Sequence, residues 1–429
     1  MKEYIKIFLG YLASLVLKKY KPKIIVIIGS VGKTSTREMI YSLLSKKHFV
    51  RKNEKSFTNQ IGIPLVIIGG GFEGNIFITL LKNIKTAFFI LIKKVNYPKY
   101  LILEIDNDKP ADLETVKKMF TPDYVVVTAI GETPPHVEVF GSKEEVIQSY
   151  RNYLQSIPQK TEIVFNKDDN NTRILSEEKD NQKIACTING DGDINADNIK
   201  YLYGKIDKMS VPTGISCDIG MKNLKQNLII FDSIGYHSQY ATLLACGVGV
   251  LFNLGFYESL EVLAKYKPLP GRMRIIPGIK DTVIIDDSYN SSPVAISESL
   301  KAFGDLKVNG NKIVVIGDML ELGRYSAEEH KKIAPKIKDI SDFTICVGIR
   351  ARLIKEELLN LGYPKEKIEY FNDSVEAGKF LQTNIQKGDC IFIKGSQSVR
   401  MEKTVEEIMR HPEDKKDLLV RQDIEWQER

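Results

Sequence analysis

Ile24-Ile25-Val26-Ile27-Ile28-Gly29-Ser30-Val31-Gly32-Lys33-Thr34-Ser35-Thr36 passes from five β-branched residues into a glycine loop. Arg37-Glu38-Met39-Ile40-Tyr41-Ser42-Leu43-Leu44 follows with a helical pattern. An unbroken apolar run suits a strand buried on both faces, as in a parallel sheet. Gly29 and Gly32 would let backbone N–H groups crowd an anion at the helix N-terminus, where the peptide dipoles favour negative charge. Ser30 and Ser35 belong to the same phosphate cradle. Lys33 can reach the β- and γ-phosphates of a bound ATP, and the Thr34 hydroxyl can hold Mg²⁺. The loop is short: the full G-x-x-x-x-G-K-[ST] pattern would place a glycine at Ile27, so only G-x-x-G-K-T-S-T remains. An ordinary strand–turn–helix with a lysine at its cap would also fit this stretch alone, and the choice falls to the residues around it.

Before the strand, residues 2–20 read as a helix with Ile5, Phe8, Leu9, Leu12, Leu15 and Val16 on one face, stopped by Pro22. Residues 76–94 repeat the pattern with Phe77, Leu80, Leu81, Ile84, Phe88 and Leu91, and both helices carry lysines at their edges. Such stripes pack on a sheet or on each other, or they rest on an anionic membrane surface as a peripheral contact. Neither is long enough to cross a bilayer, since the apolar core of the first, Ile7 to Leu17, is about half the ~20 residues required.

Tyr100–Asp106 and Tyr124–Gly131 read as further strands. Groups just past parallel strand ends converge on a ligand crevice, which places Glu104 and His136 beside Lys33 and Thr34 as a magnesium site. Residues 160–235 read as short strands and turns of unassigned order, and Tyr240–Leu254 as a buried helix. Leu269-Pro270-Gly271-Arg272 reads as an interdomain hinge. Strands at 283–286, 312–317, 343–347 and 390–394 then alternate with helical segments. The fold class expected is α/β: a P-loop-containing parallel-sheet central domain followed by a second doubly wound, Rossmann-like domain. The domains divide as 1–22 (amphipathic helix), 23–269, 270–410 and a charged, peripheral or disordered tail at 411–429.

Composition agrees with a protein of two or three domains: 429 residues, 43% hydrophobic and 27% charged. The net charge of +6 is spread along the chain, which suits anionic nucleotides or a membrane surface, and no nucleic-acid partner is expected. Cys186, Cys217, Cys246, Cys346 and Cys390 lie far apart with no C-x-x-C pair, which points to a reducing cytoplasm and against zinc or disulfides.

The ordered set of segments resembles the Mur ligase family. Gly29–Thr34, Asn59-Gln-Ile-Gly-Ile-Pro64, Glu104 with Lys109-Pro110-Ala111-Asp112, and His136-Val-Glu-Val-Phe-Gly-Ser142 carry the likeness in the first domain. Pro270-Gly-Arg-Met273, Asp286-Asp-Ser-Tyr-Asn-Ser-Ser-Pro293, Gly317-Asp-Met-Leu-Glu-Leu-Gly323 with His330, Lys394-Gly-Ser396 and Met401-Glu402 carry it in the second. The Asp-Asp-Ser-Tyr-Asn and Gly-Asp-Met-Leu-Glu-Leu-Gly segments resemble the branch of the family that adds D-alanyl-D-alanine.

The resemblance implies ATP- and Mg²⁺-dependent amide ligation through an acyl phosphate. The acid would be a peptide or sugar-peptide cell-wall precursor, and the amine a dipeptide or amino acid. Lys33, Glu104, His136, Arg272 and Lys394 would be catalytic; Thr34, Glu104 and His136 would hold the metal; Asp287, Tyr289 and Asn290 would meet the nucleotide. Lys394 and the Asp318–Gly323 loop would help place the amine. Three departures stand out. The family's UDP-sugar-binding N-terminal domain would be absent, with the 2–20 helix in its place. Tyr150 stands where a carbamylated lysine is expected, and Ser238 and Ala241 stand where asparagines are. Two other readings stay open: a ligase for a different acid and amine, and a catalytically weak nucleotide-binding partner protein.

Overall fold

The computed structural model describes residues 2–54, 57–71, 76–206, 209–423 and 426. Its first sheet holds β1 (Lys23–Ile28), β2 (Val50–Lys52), β3 (Tyr100–Glu104), β4 (Tyr124–Val127), β5 (Glu162–Asn166), β6 (Lys183–Ile188), β7 (Ile194–Ile206), β8 (Met209–Met221) and β9 (Leu224–Phe231). The order is β2-β3-β1-β4-β5-β6-β7-β8-β9. Pairing is parallel from β2 to β7 and antiparallel from β7 to β9. β1 lies between β3 and β4, so the chain leaves it in one direction and later returns to its other side. That makes the carboxyl end of β1 a topological switch point, where open α/β sheets form ligand crevices.

β1 is buried on both faces because its alternate side chains enter two cores. Ile24, Val26 and Ile28 pack toward α1 (Lys2–Tyr20), α3 (Gly62–Ile68) and α4 (Ile76–Ile92). Ile25 and Ile27 pack toward α2 (Lys33–Leu44) and the helix Tyr236–Leu251. Residues 160–235, read from sequence as short strands and turns of unassigned order, hold β5 to β9 with a helix, Asn170–Glu177, between β5 and β6, and β7 and β8 are 13 residues each. Register shifts between Asp197 and Lys200 and between Leu202 and Tyr203 interrupt the alternation that marks a strand.

The second sheet holds β10 (Arg274–Pro277), β11 (Val283–Asp287), β12 (Lys312–Gly317), β13 (Phe343–Val347), β14 (Ile368–Phe371) and β15 (Cys390–Lys394), in the order β10-β11-β15-β12-β13-β14. Only β10 is antiparallel to its neighbour. Apolar cores cover both faces, as a doubly wound domain requires. All five cysteines are buried and free.

Three expectations need correction. Phe8 on α1, and Leu81 and Phe88 on α4, are exposed; the buried stripes are Leu9, Leu12, Ala13 and Val16, and Ala87 and Ile90 backed by partly buried Leu80, Ile84 and Leu91. These helices are apolar around most of their circumference, so packing selects one stripe and leaves another outside. The 411–429 segment is not a loose tail, because Leu419, Val420 and Arg421 are buried in the second domain. The N-terminal helix is likewise part of the central core rather than a separate unit. The Phe77 side chain and the tail beyond 423, apart from Trp426, lie outside the described residues.

Candidate active site

The phosphate loop has the backbone its glycines suggest: Gly29 has φ +132° and Gly32 φ +86°, both in the left-handed region. A Cβ on Gly29 would lie 2.2 Å from Thr128 Oγ1, so β4 and the loop also need the missing side chain for close approach. Lys33 Nζ donates to the Gly29 carbonyl at 2.7 Å and lies 3.1 Å from Asp106 Oδ1. Burial works against the Lys33 charge, but Asp106 and Glu104 outweigh it and hold the ammonium firmly protonated.

Glu104, at the end of β3, accepts from Thr34 Oγ1 at 2.8 Å and pairs with Arg37 Nη1 at 2.8 Å. Its backbone N–H donates to Asn53 Oδ1 at 2.9 Å, and Asn53 Nδ2 donates to its carbonyl at 2.8 Å. Burial pushes its carboxyl pKa up, with Arg37 opposing. The strand end, the helix start and the 53–64 loop thus fix one carboxylate beside one hydroxyl. This oxygen pair fits Mg²⁺, which commonly takes one or two carboxylates and completes its shell with waters and substrate phosphates. Among the described residues no group of three or more His, Cys, Asp or Glu is placed to hold a metal.

His136 shares the cleft and lies between carboxylates of both domains. Its Nε2 is 3.0 Å from Asp108 Oδ1 and its Nδ1 3.1 Å from Glu321 Oε2. Burial lowers its pKa, and the two carboxylates more than reverse that, so the ring is held toward its protonated form. Because Glu321 comes from the second domain, the ring in this arrangement clasps the two domains together.

Across the cleft, Arg272 stacks over Tyr289 with its guanidinium carbon 3.9 Å from the ring centroid. Asp287 accepts from Lys394 Nζ at 2.6 Å, from Ser299 Oγ at 2.7 Å and from Met273 N–H at 3.2 Å. Lys394 also donates to the Asn290 carbonyl at 2.9 Å, and burial lowers its pKa against the pull of Asp287. Lys394 thereby holds the Asp287–Asn290 loop from the β15 side.

Two clefts meet at Val31, Arg272 and Ala295. The polar one is lined by Ser30, Lys33, Thr34, Glu104, Asp106, Asp108, His136, Tyr150, Tyr289 and Asn290. The other runs along the far side of the phosphate loop past Gly32, Ser35, Ala129, Tyr240, Ala241, Leu244, Val294, Asp287 and Lys394. It is walled mainly by apolar groups. His237 lines it too, its pKa pushed down to about 4 by burial despite Asp287 nearby. All the expected residues therefore border one continuous crevice. Sequence reading missed Asp108 and Glu321 as partners of His136, and Arg37 as the partner of Glu104. Position past strand ends pointed at Asp108; Glu321 lies in the Asp318–Gly323 loop read from the sequence, but nothing there pointed to His136 as its partner. Tyr150 does reach the site: it is buried against Ser30 and Lys33, and burial raises its pKa while the Lys33 charge opposes.

Residues 27–248 match the Mur ligase middle domain and residues 271–397 the Mur ligase glutamate ligase domain. The UDP-N-acetylmuramoyl-tripeptide--D-alanyl-D-alanine ligase of Bacillus subtilis is 23% identical over 407 residues, covering 94% of this chain and 79% of that one. The enzyme of the same name from Rickettsia prowazekii is 26% identical, with 90% and 78% covered. Among solved structures, the MurF ligase of Thermotoga maritima in complex with ADP superposes with a TM-score of 0.76 at 22% identity, covering 96% of this chain and 84% of that one. A pseudomurein peptide ligase from Methanothermus fervidus superposes with a TM-score of 0.65 at 15% identity, which shows the fold is shared well beyond one branch.

Proposed function

The chain belongs to the Mur ligase family, and on that footing we propose that it is an ATP-dependent carbon–nitrogen ligase joining D-alanyl-D-alanine to a UDP-muramoyl-tripeptide. The observation that carries this reading is the meeting of the two clefts. A mainly apolar slot the right side of the phosphate loop for a nucleoside opens at Arg272 into a polar chamber that holds Lys33, Thr34 and Glu104. A nucleotide lying along the loop would put its terminal phosphate in the chamber, with both domains around it.

There Lys33, held protonated, would neutralise the phosphate oxygens as charge moves off the γ-phosphorus. Thr34 and Glu104 would hold Mg²⁺, which when bound supplies further neutralisation of the phosphates. A substrate carboxylate oxygen attacks the γ-phosphorus and the bond to the β-phosphate oxygen breaks, releasing ADP. The amine nitrogen then attacks the acyl carbon and inorganic phosphate leaves. Arg272, reaching in from the second domain, would balance charge on the acyl phosphate, so both domains must be closed for the reaction. Tyr289 and Asn290 would border the phosphates. α1 and α4 pack on the flank of the P-loop sheet, and the second reading is a Mur-type ligase for another acid and amine.

ADP release by the purified protein, with each substrate supplied or withheld, tests the proposal. We expect turnover that needs both acid and amine and that Lys33→Ala abolishes while the circular dichroism spectrum stays that of the folded protein. Turnover with a different acid alone would select the second reading, and no turnover with any pair would mark a nucleotide-binding partner protein.

A further inference from the structure

We propose that the outward faces of α1 and α4 form a docking surface for an anionic lipid bilayer. On α4 the exposed side chains include Ile78, Leu81, Phe88, Phe89 and Ile92, the last 78% exposed. At 3.6 residues per turn these five fall within an arc of about 100°. Ile7, 66% exposed, with Phe8 and Tyr11, gives α1 a similar outer stripe. A folded monomer gains nothing by presenting eight large apolar groups on two adjoining helices, and patches of this kind mark contact surfaces.

The patch does not result from loose docking of the helices. Lys19 Nζ caps the last turn of α4 by donating to the carbonyls of Ile90, Leu91 and Lys93 at 2.7, 3.0 and 2.8 Å, and Tyr20 Oη donates to Ile90 O at 2.7 Å. The inner stripe of α4 is locked into the core at the same time. The outer stripe is therefore held facing away from the protein.

Charge selects the occupant. Residues 76–99 contain Lys82, Lys85, Lys93, Lys94 and Lys99 and no Asp or Glu; α1 and the turn after it contain Lys2, Lys6, Lys18, Lys19 and Lys21 against one acid, Glu3. Lys82 and Lys85 lie within or beside the apolar arc, the arrangement of a helix lying in a membrane interface with its lysines reaching the headgroups. Two such faces from separate copies would repel, whereas acidic lipids complement them. No helix among the described residues is long and apolar enough to cross a membrane, so the contact is lateral.

Co-sedimentation of the full chain with phosphatidylcholine vesicles, with and without phosphatidylglycerol, tests this. The expected result is binding that needs the anionic lipid and weakens at high salt. Lys82→Ala with Lys85→Ala should weaken it by about fivefold per charge removed, and Phe88→Ser with Phe89→Ser by roughly tenfold or more. All four positions are exposed, and unchanged ATP binding would show that the variants fold. No binding of the unaltered protein to anionic vesicles at low salt overturns the proposal, as does binding that neither variant reduces. A dimer in solution that the phenylalanine variant dissociates would also overturn it and assign the face to a second copy.

Discussion

Arg37→Met isolates the group that keeps Glu104 usable. Arg37 is 3% exposed and Glu104 5%, and among the described residues the guanidinium is the one ion-pair partner of that carboxylate, at 2.8 Å; Arg37 also pairs with Glu38, which keeps Lys52 when Arg37 is lost. Removing one member of a buried pair typically costs about 3–5 kcal/mol. Thr34 still donates to Glu104 and Lys33 is near, so the lower end, about 3 kcal/mol, applies here; at about 2–4 °C per kcal/mol the melting temperature should fall by roughly 6–12 °C. The pH dependence follows from the raised carboxyl pKa. A carboxyl that holds its proton more tightly when folded stabilises below its unfolded pKa, and that contribution is lost as pH rises through the folded value. Loss of Arg37 moves the folded value higher, so the variant should lose stability over a wider span above the ordinary carboxylate range. Magnesium needs the ionised form, so half-saturating Mg²⁺ for nucleotide binding should rise most at acidic pH. Adding Glu104→Gln should restore most of the lost stability by removing the stranded charge. Melting curves of both variants from pH 5 to 8 check this; a single variant within about 1 kcal/mol of the parent, or additive losses in the double variant, would refute it.

Three shorter predictions concern the rest of the crevice. With a phenol at Tyr150, turnover should not respond to bicarbonate, and Tyr150→Lys should make it do so; stimulation of the unaltered protein would contradict the reading. The raised pKa of His136 means its clasp to Asp108 and Glu321 is fully present below pH ~6.5 and fades as pH rises through the folded value, so His136→Ala should flatten the melting temperature against pH on the alkaline side. Arg421→Ala should destabilise the second domain by about 1.5–3 kcal/mol, because buried Glu402, 2.7 Å away, keeps only Arg400 as a partner and the Ser288 and Tyr289 carbonyls lose their donor; an unchanged melt would return this segment to the status of a tail.

What could be read in advance follows the range over which each signal acts. The phosphate loop is local: five β-branched residues, two glycines and a Lys-Thr pair specify strand, turn and helix within 21 residues, and α1 appears with the bounds Lys2–Tyr20 as expected. Four strands of the second domain, β11, β12, β13 and β15, are short apolar runs that stand where they were read, while the four-residue β10 and β14 were not read. The side of a helix that packs was less legible, because α4 has apolar groups in nearly every direction and only its neighbours decide which stripe is buried. Pairings over long separations were invisible: Arg37 with Glu104, and His136 with Glu321, join residues whose spacing carries no period.

The tail shows how such a distant pairing reaches the chemistry. Arg421 Nη1 donates to Ser288 O at 3.1 Å and its Nη2 donates to Tyr289 O, while Glu402 neutralises the guanidinium. Tyr289 in turn lies under Arg272, and its N–H donates to Gly271 O at 3.2 Å. From the other side, Lys394 ties Asn290 O to Asp287. The loop between β11 and the next helix is thus gripped at three successive carbonyls, by one cation from the C-terminal segment and one from β15. A guanidinium stacked on a ring that is itself fixed has fewer orientations to lose when an anion arrives, which is the condition for stabilising a short-lived acyl phosphate rather than its precursors. Charge density made residues 411–429 look peripheral in sequence; in the fold, the arginine among them steadies the residues that face the phosphates.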